Sequence, residues 1–455
     1  MGRWGDKYVI GLTGNIAVGK SVVRQMLQHL GAYTIDADGL SHQAMAPGAP
    51  AYKPTVEMFG RYILDSEGRI NRARLGNIVF TFPDALVELE KIVHPVVNQA
   101  IQTLVSRARQ RIIVVEAIKL LESNLASTAD AIWVVDASPG TQLKRLMQKR
   151  GLTEAEARKR ITAQRPQADK LARADVIIMN DGNVEETWRQ VQTAWNEIRR
   201  QLTAAAPAHM PGQTSAPPSG STGTGQLRPL AQVTIPQAPH PAPSAVPPPP
   251  AGTGQLTPLR SLTTAALRSN NIASGPFGAK PSGSAGLGAP QMLSVTVRRG
   301  MPGSADVIAR FISRVSGKMV DRMDIMLAFG QKSYLLAQDQ HENVVALIGW
   351  QVENLITRAD EFYIDPLVPR APVIGALVSA IEEASRELQS EVAFIFLPDS
   401  AAPEITQAFV GSGYQLLRLE EIKFPAWREA AHEMMHGELQ GLIKQLRADR
   451  VMKPI

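Results

Sequence analysis

Eight residues near the N-terminus have the spacing of a phosphate-binding loop. Gly14-Asn15-Ile16-Ala17-Val18-Gly19-Lys20-Ser21 satisfies the pattern G-x-x-x-x-G-K-[ST]. In such a loop, backbone amides at a helix N-terminus surround phosphate oxygens, the lysine adds a cation at the β/γ position, and the hydroxyl is placed to bind Mg²⁺. We therefore predict a nucleotide site over these residues and Val22, with Mg²⁺ held by Ser21 through the nucleotide.

Two carboxylates follow the second predicted strand. Ile35-Asp36-Ala37-Asp38 directs both acidic side chains the same way if the chain stays extended. In phosphoryl transfer to an alcohol, one carboxylate there can accept the hydroxyl proton, and a second can hold Mg²⁺ through water. The alternative for either residue is a cap on a helix that starts near Gly39.

The strand pattern predicts where these groups meet. Short apolar runs alternate with longer helical patterns, at residues 8–12, 32–35, 111–115, 132–135 and 176–179. This alternation is typical of an α/β domain whose parallel sheet carries helices on both faces. Ligands bind beyond the carboxyl ends of such strands, so the candidate positions are the residues that follow them. These are Gly14 onward, Asp36 to Asp38, Glu116, Asp136, and Asn180, Asp181 and Gly182.

Composition excludes several classes of protein. The chain has 455 residues, 48 basic and 42 acidic side chains, and no cysteine. Disulfide frameworks and thiolate chemistry are therefore excluded, and a net charge of +6 does not indicate a nucleic-acid-binding protein. The sequence shows no signal peptide and no run of about 18 apolar residues that could span a membrane. We expect a soluble, cytoplasmic protein without nucleic-acid or membrane partners, and the oligomeric state stays open.

A proline-rich stretch divides the chain. Residues 201–291 hold 17 of the 32 prolines and no acidic residue. Such a segment buries too little apolar surface to offset chain entropy. We predict a domain over residues 1–202, a disordered linker over 203–291, and a second domain over 292–455. The Gly-Thr-Gly-Gln-Leu sequence at residues 223 and 252 is either a docking motif or drift after duplication.

The second domain has an α+β pattern. Strands are predicted at residues 294–298, 334–338, 344–352, 361–364 and 392–397, and helices at 305–316 and 374–388. We expect consecutive antiparallel strands. An amphipathic stretch at residues 427–446 predicts a C-terminal helix that extends the domain or pairs with a partner.

The first 200 residues resemble dephospho-coenzyme A kinase, a P-loop enzyme related in fold to nucleoside monophosphate kinases. Beyond the phosphate loop, five features carry the resemblance in order: Ile35-Asp-Ala-Asp38, Pro47-Gly-Ala-Pro50, His94-Pro95, the run from Asp136 to Arg145, and Ala174 to Gly182. The resemblance implies ATP-dependent phosphorylation of the ribose 3′-hydroxyl of dephospho-coenzyme A, the last step of coenzyme A biosynthesis, with ATP and Mg²⁺.

The resemblance also implies roles for individual residues. Asp38 would be the general base and Lys20 a catalytic cation. ATP would contact Gly14, Asn15, Ile16, Ala17, Val18, Gly19, Lys20, Ser21, Val22, Arg145, Asn180, Asp181 and Gly182. Candidate substrate contacts are Asp36, His94 and Glu116, although His94 could equally be a packed side chain in an apolar helix.

A basic segment at residues 145–173 is predicted to form a helix-turn-helix about residues 151–153. The resemblance places Arg145 in a lid that closes over ATP, where cations meet developing negative charge. Most of the other basic residues, Lys159 and Lys170 in particular, are predicted to form a solvated face.

Two departures from the family pattern concern the site. The family usually has glycine where Asn15 and Ala17 stand, and Val18 replaces a small polar residue. After the third strand, residues 116–121 read Glu-Ala-Ile-Lys-Leu-Leu where the family has Asp-x-Pro-Leu-Leu. Two alternatives to the kinase assignment follow: a kinase for another small alcohol, or a degenerate regulator that binds nucleotide without turnover.

Residues 294–419 resemble the GNAT N-acetyltransferase fold, in which R-x-x-G-x-G/A binds the pyrophosphate of acetyl-coenzyme A. Here the motif reads Arg370-Ala-Pro-Val-Ile-Gly375. Val373 stands at the first glycine position and Pro372 removes an N–H beside it. Both changes favour an inactive or structural descendant over a working acyltransferase.

Overall fold

The computed structural model describes residues 4–204, 295–435 and 439–451. Nearly all of the predicted linker, with both copies of its repeat, lies outside these residues.

The N-terminal domain is built on a five-stranded parallel sheet of strand order β2-β3-β1-β4-β5. The strands are β1 (Tyr8–Thr13), β2 (Tyr33–Asp36), β3 (Ile112–Glu116), β4 (Ala131–Asp136) and β5 (Val176–Met179). All four neighbouring pairs are parallel, and each predicted strand is present within one residue at either end. The predicted parallel α/β domain is confirmed.

Nine helices are described in this domain and cover the sheet. They are α1 (Lys20–His29), α2 (Ala37–Ala44), α3 (Tyr52–Phe59), α4 (Arg72–Thr81), α5 (Pro83–Arg107), α6 (Pro139–Arg150), α7 (Glu154–Thr162), α8 (Gln167–Leu171) and α9 (Val184–Ala204). Helices α1 and α9 pack on one face of the sheet and α2 and α5 on the other, each over an apolar cluster. The predicted helix-turn-helix corresponds to α6 and α7, and Thr153 and Glu156 form a capping box between them.

The C-terminal domain is α+β, as predicted. A seven-stranded sheet has the order β11-β12-β10-β9-β8-β7-β6. Its strands are β6 (Thr296–Arg299), β7 (Ser333–Gln338), β8 (Val344–Glu353), β9 (Ile356–Ile364), β10 (Val392–Pro398), β11 (Gln415–Leu416) and β12 (Leu439–Gln445). The helices are α10 (Ala305–Ser316), α11 (Arg322–Ala328), α12 (Arg370–Glu387), α13 (Pro403–Gly411) and α14 (Pro425–Met434).

Two expectations for this domain were wrong. The strands are not all antiparallel, because β10 follows helix α12 as a crossover and pairs with β9 in parallel. The predicted C-terminal helix over residues 427–446 ends at Met434, and β12 then pairs antiparallel with β10 over seven residues. The helix prediction rested on local apolar periodicity, which carries no information about the unpaired edge of β10. That edge supplies the hydrogen-bond partners of β12.

The two domains pack against each other. Gln25 of α1 donates to the Ser333 hydroxyl at 3.2 Å, and His29 contacts the Phe329 carbonyl through Nε2 at 2.9 Å. A carbonyl oxygen only accepts, so Nε2 carries the proton. None of the helices that the structure describes combines the length and the apolar character of a membrane span.

Candidate active site

The register of the parallel sheet gathers the acidic candidates beside the phosphate loop. Asp36, at the end of β2, pairs with Glu116 at the end of β3, and Glu116 pairs with Leu12 of β1. The loop leaves β1 directly after Thr13. The expectation that the strand ends bring these residues together is confirmed for Asp36 and Glu116.

The loop backbone requires glycine at two positions. Gly14 has a φ of +152° and Gly19 a φ of +97°. A Cβ on Gly14 would lie 2.5 Å from the Val135 carbonyl oxygen, and one on Gly19 would lie 2.1 Å from Nδ2 of Asn180. Neither position tolerates a side chain without rearrangement. Ala17, where the family usually has glycine, has a φ of +60°, which is unfavourable for an L-residue with a Cβ.

Two glutamines that the sequence did not single out contact the loop. The backbone N–H of Asn15 donates to Oε1 of Gln167 at 3.0 Å, and that of Ile16 donates to Oε1 of Gln164 at 2.7 Å. In the phosphate-binding interpretation, these amide oxygens stand where phosphate oxygens would accept the same hydrogen bonds. Gln164 lies between α7 and α8 and Gln167 is the first residue of α8, so the segment that follows α7 contacts the loop.

Lys20 opens helix α1 and is buried, with 7 % of its surface exposed. Its Nζ donates to the Asn15 carbonyl oxygen at 3.3 Å. The Lys20 charge acts on two further titratable groups, Asp38 and Lys170. Lys20 therefore lies at the centre of the charge cluster, beside the loop amides.

Lys170 is not on a solvated face, and that expectation was wrong. The residue is 4 % exposed, and its Nζ donates to the Ile118 carbonyl oxygen at 2.7 Å. Burial lowers the Lys170 pKa, and the Lys20 charge lowers it further, against the opposite effect of Glu122 and Asp38. The charge-run pattern failed here because α8 is a single short helix turned inward toward β3. Lys159 is exposed, as expected.

Asp38 lies on helix α2 and is half-buried. Its Oδ2 accepts a hydrogen bond from the Ile118 backbone N–H at 3.0 Å. Burial raises the pKa of Asp38 to about 6, the Ile118 bond and Lys20 oppose that shift, and the charges of Asp36 and Glu116 add to it. Asp38 is thus ionised at neutral pH but more basic than an ordinary aspartate.

Asp36 caps the helix that carries Asp38. Its Oδ1 accepts from the Gly39 N–H at 2.9 Å, so the capping alternative holds for Asp36. The chain turns helical at Ala37, so the two carboxylates are not directed by an extended backbone as the spacing suggested. The helix brings Asp38 to the Ile118 amide at the start of the connection that follows β3.

Glu116 links helix α1, which follows the phosphate loop, to the sheet. Its Oε2 accepts from Nε of Arg24 at 2.7 Å, and its Oε1 lies 3.3 Å from the Ser21 hydroxyl, which donates to it. Both members of the Arg24–Glu116 ion pair are buried. Burial lowers the pKa of Arg24, but the carboxylates of Glu116, Asp36 and Glu353 more than reverse this and raise it above its usual value. Neither the residue type nor the spacing of Arg24 indicated this role.

Arg145 is hydrogen-bonded to the carbonyl groups of the loop. Its guanidinium donates to the carbonyl oxygens of Ala17 at 3.2 Å, Val18 at 3.0 Å and Asn180 at 2.7 Å. The Asn180 amide donates to the same Val18 oxygen at 2.7 Å. Three side-chain hydrogen bonds therefore end on carbonyl oxygens in the turn of the loop, and a fourth joins Arg145 to Asn180.

Comparison with known proteins places this site in a family. The family model described as dephospho-CoA kinase matches residues 8–186. A dephospho-CoA kinase of Streptomyces avermitilis is 41% identical over 206 residues, which are 45% of this chain and 98% of that protein. One from Geobacillus kaustophilus is 45% identical over 40% of this chain and 92% of its own length. The chain belongs to the dephospho-CoA kinase family. The resemblance noted for the first 200 residues is confirmed.

Solved structures match both domains. A dephospho-CoA kinase from Campylobacter jejuni covers 42% of this chain at 28% identity, with a TM-score of 0.30. An acetyltransferase described as a phosphinothricin N-acetyltransferase covers 34% of the chain at 18% identity, with a TM-score of 0.27. In the C-terminal domain itself, Pro372 and Val373 lie in the first turn of α12, and the Val373 side chain is fully buried in the core.

The remaining family-derived residues have defined surroundings. His94 is exposed on α5, so the packed alternative is wrong, and its contact with substrate stays a prediction. Burial opposes ionisation of Asp181, but hydrogen bonds from Thr141 and from the backbone and side chain of Ser138, together with the Arg145 charge, keep its pKa low. A Cβ on Gly182 would meet Oε2 of Glu186 at 1.9 Å. The roles of Asn180, Asp181 and Gly182 in ATP binding also stay predictions.

Proposed function

We propose that the N-terminal domain transfers the γ-phosphoryl group of ATP to the ribose 3′-hydroxyl of dephospho-coenzyme A, giving coenzyme A and ADP. Family membership supplies the substrates. The observation in this chain that carries the chemistry is Asp38, a half-buried carboxylate with a pKa raised to about 6, within the electrostatic reach of Lys20.

Asp38 acts as the general base. A carboxylate with a pKa near 6 is ionised at pH 7 and accepts a proton more readily than one near 4. As the substrate oxygen bonds to the γ-phosphorus, its proton passes to the Asp38 carboxylate, and the β–γ bridging oxygen leaves with ADP. The Ile118 N–H holds one Asp38 oxygen, which leaves the other available for the proton.

The loop stabilises the phosphates. The N–H groups of Asn15 and Ile16 exchange Gln167 and Gln164 for phosphate oxygens, and Lys20 offsets charge on the β/γ oxygens. Arg145 contributes by fixing the carbonyl groups of Ala17 and Val18, so that the loop amides are already oriented before the nucleotide binds.

The residues present fit Mg²⁺ bound through ATP. Within the described part of the chain, no group of three or more acidic or histidine side chains could hold a metal alone. The Ser21 hydroxyl 3.3 Å from Glu116 is the hydroxyl and carboxylate pair that phosphate loops offer to this ion, with substrate phosphates completing its ligands. When bound there, Mg²⁺ neutralises phosphate charge.

An acceptor panel tests the proposal. ADP release is measured with dephospho-coenzyme A, adenosine, a nucleoside monophosphate and pantetheine as acceptors. We expect the highest kcat/KM for dephospho-coenzyme A, and a kcat lower by roughly 10²- to 10⁴-fold in the Asp38→Asn variant.

A matched carboxylate provides the control. Asp175 is half-buried and accepts a hydrogen bond from the Ile132 N–H at 2.7 Å, but it lies before β5, at the amino ends of the strands. Asp175→Asn should retain kcat within about threefold, because it removes no group near the transferred phosphate. A preferred acceptor other than dephospho-coenzyme A, or full activity in Asp38→Asn, would contradict the proposal.

A further inference from the structure

The C-terminal domain places a leucine in the apolar core of the kinase domain, and its Leu388 and Val451 pack against the same cluster. Leu355 is 7 % exposed and belongs to the cluster formed by residues of β2, α2 and α5, among them Ile35, Leu40 and Leu104. The turn between β8 and β9 that carries Leu355 therefore contacts the same face of the sheet as helix α2.

The backbone of this turn is held in an unfavourable conformation. Asn354 has a φ of 52° and Leu355 a φ of 64°. Two-residue turns of this kind favour Asn followed by Gly, because the left-handed region penalises a Cβ. A leucine at the second position is unusual for the turn itself. Its burial between the domains supplies the compensating contact.

The same turn contacts helix α2 at both ends. Near the C-terminus of α2, Nε2 of Gln43 donates to the Asn354 carbonyl oxygen. At the first turn of α2, a Cβ on Gly39 would lie 2.0 Å from Oδ1 and 2.8 Å from Cγ of Asn354. The Asn354 side chain thus occupies the space that a larger residue at position 39 would need.

Helix α2 carries Asp38 and depends on such contacts. It has eight residues, fewer than the roughly 12 to 15 at which an isolated helix becomes marginally stable. Gly39, next to Asp38, is fixed by its N–H bond to Asp36 on one side and by Asn354 on the other. A further contact between the domains supports this packing, since Gln389 donates to the Leu104 carbonyl oxygen at 2.8 Å.

We propose that the Asn354–Leu355 turn of the C-terminal domain positions helix α2, and through it Asp38, for phosphoryl transfer. The Leu355 side chain and the Asn354 backbone are the positioning groups, because they contact the helix and its apolar cluster and not the reacting atoms. The inference rests on the proposed kinase activity. It gives the C-terminal domain a role in the reaction that requires no ligand of its own.

The first test compares two substitutions in the full chain, each of which replaces a buried aliphatic side chain by alanine. Leu355→Ala should lower kcat by about 10-fold or more and leave KM for ATP within about twofold, because misplacing a reacting group by ångströms costs this much. Ile381→Ala is the control, since Ile381 is fully buried in the C-terminal core and has no place in the shared cluster. Its kcat should stay within about twofold of wild type at a temperature where circular dichroism shows both variants folded.

A second test applies if Leu355→Ala does not fold. Gly39→Ala pushes a Cβ into Asn354 and should lower kcat by about 10-fold, whereas Gly39→Ala combined with Asn354→Gly should recover it to within about threefold. A kcat near wild type in folded Leu355→Ala, an equal loss in Ile381→Ala, or no recovery in the double variant would overturn the inference. Wild-type protein without activity on dephospho-coenzyme A would instead overturn the proposed function.

Discussion

The pH dependence of kcat/KM follows directly from the surroundings of Asp38. With a pKa raised to about 6, chiefly by burial, about nine-tenths of this carboxylate is ionised at pH 7 and about one-tenth at pH 5. Because kcat/KM reports the free enzyme, it should fall about 10-fold over this interval. An aspartate with an ordinary pKa would lose almost nothing over the same range.

ATP also changes protonation near pH 6, so a second variant separates the protein from its substrate. Asp36→Asn keeps an effective helix cap but removes a negative charge that raises the Asp38 pKa. The acidic limb of the kcat/KM profile should therefore move to lower pH in Asp36→Asn while the titration of ATP is unchanged. Steady-state rates from pH 5 to 8 measure both profiles. A wild-type profile that is flat from pH 5 to 7, or the same midpoint in both proteins, would refute this reasoning.

Three further changes test other parts of the structure. Lys20→Ala should lower kcat by at least ~10²-fold with the fold intact by circular dichroism, whereas Lys159→Ala, at an exposed position, should leave it unchanged. Ala17→Gly should raise the free energy of unfolding by ~0.5–1 kcal/mol in urea titrations, because it removes the strain of a positive φ, and Ala194→Gly in helix α9 should lower it by ~1 kcal/mol. Burial at the domain contact lowers the pKa of His29 to about 4, so only the neutral side chain favours the folded state. As the pH falls from 7.5 to 5, the wild type should therefore lose up to about 2 kcal/mol more stability than His29→Gln. Equal acid sensitivity of these two proteins in thermal melts would remove His29 as the cause.

Much of the site could be predicted from sequence because its signals are local. The phosphate loop is a contiguous pattern flanked by a strand and a helix, and Glu116 follows an apolar strand directly. Parallel pairing then brings Asp36 and Glu116 together by register, which a list of strand ends anticipates. The expected direction of the Asp38 side chain was wrong because helix α2 begins at Ala37, about two residues before the expected start near Gly39.

The parts that could not be predicted depend on contacts distant in sequence. Gln164 and Gln167 meet amides about 150 positions earlier, and neither residue type nor spacing signals that contact. Lys170 looked like part of a charged surface because its burial depends on how α8 meets Ile118. The contact of Leu355 with the kinase core could be identified only from the packed domains, because a leucine in a tight turn has no sequence pattern that indicates its contacts.

The identity of the phosphorylated product tests the proposed kinase activity most directly. Wild-type protein is incubated with ATP, Mg²⁺ and dephospho-coenzyme A, and the products are quantified by mass spectrometry and phosphorus NMR. We predict one coenzyme A, phosphorylated at the ribose 3′ position, for each ADP formed, and rates of both products lower by roughly 10²- to 10⁴-fold in Asp38→Asn. ADP formed without phosphorylated acceptor, or a phosphate at another position, would contradict it.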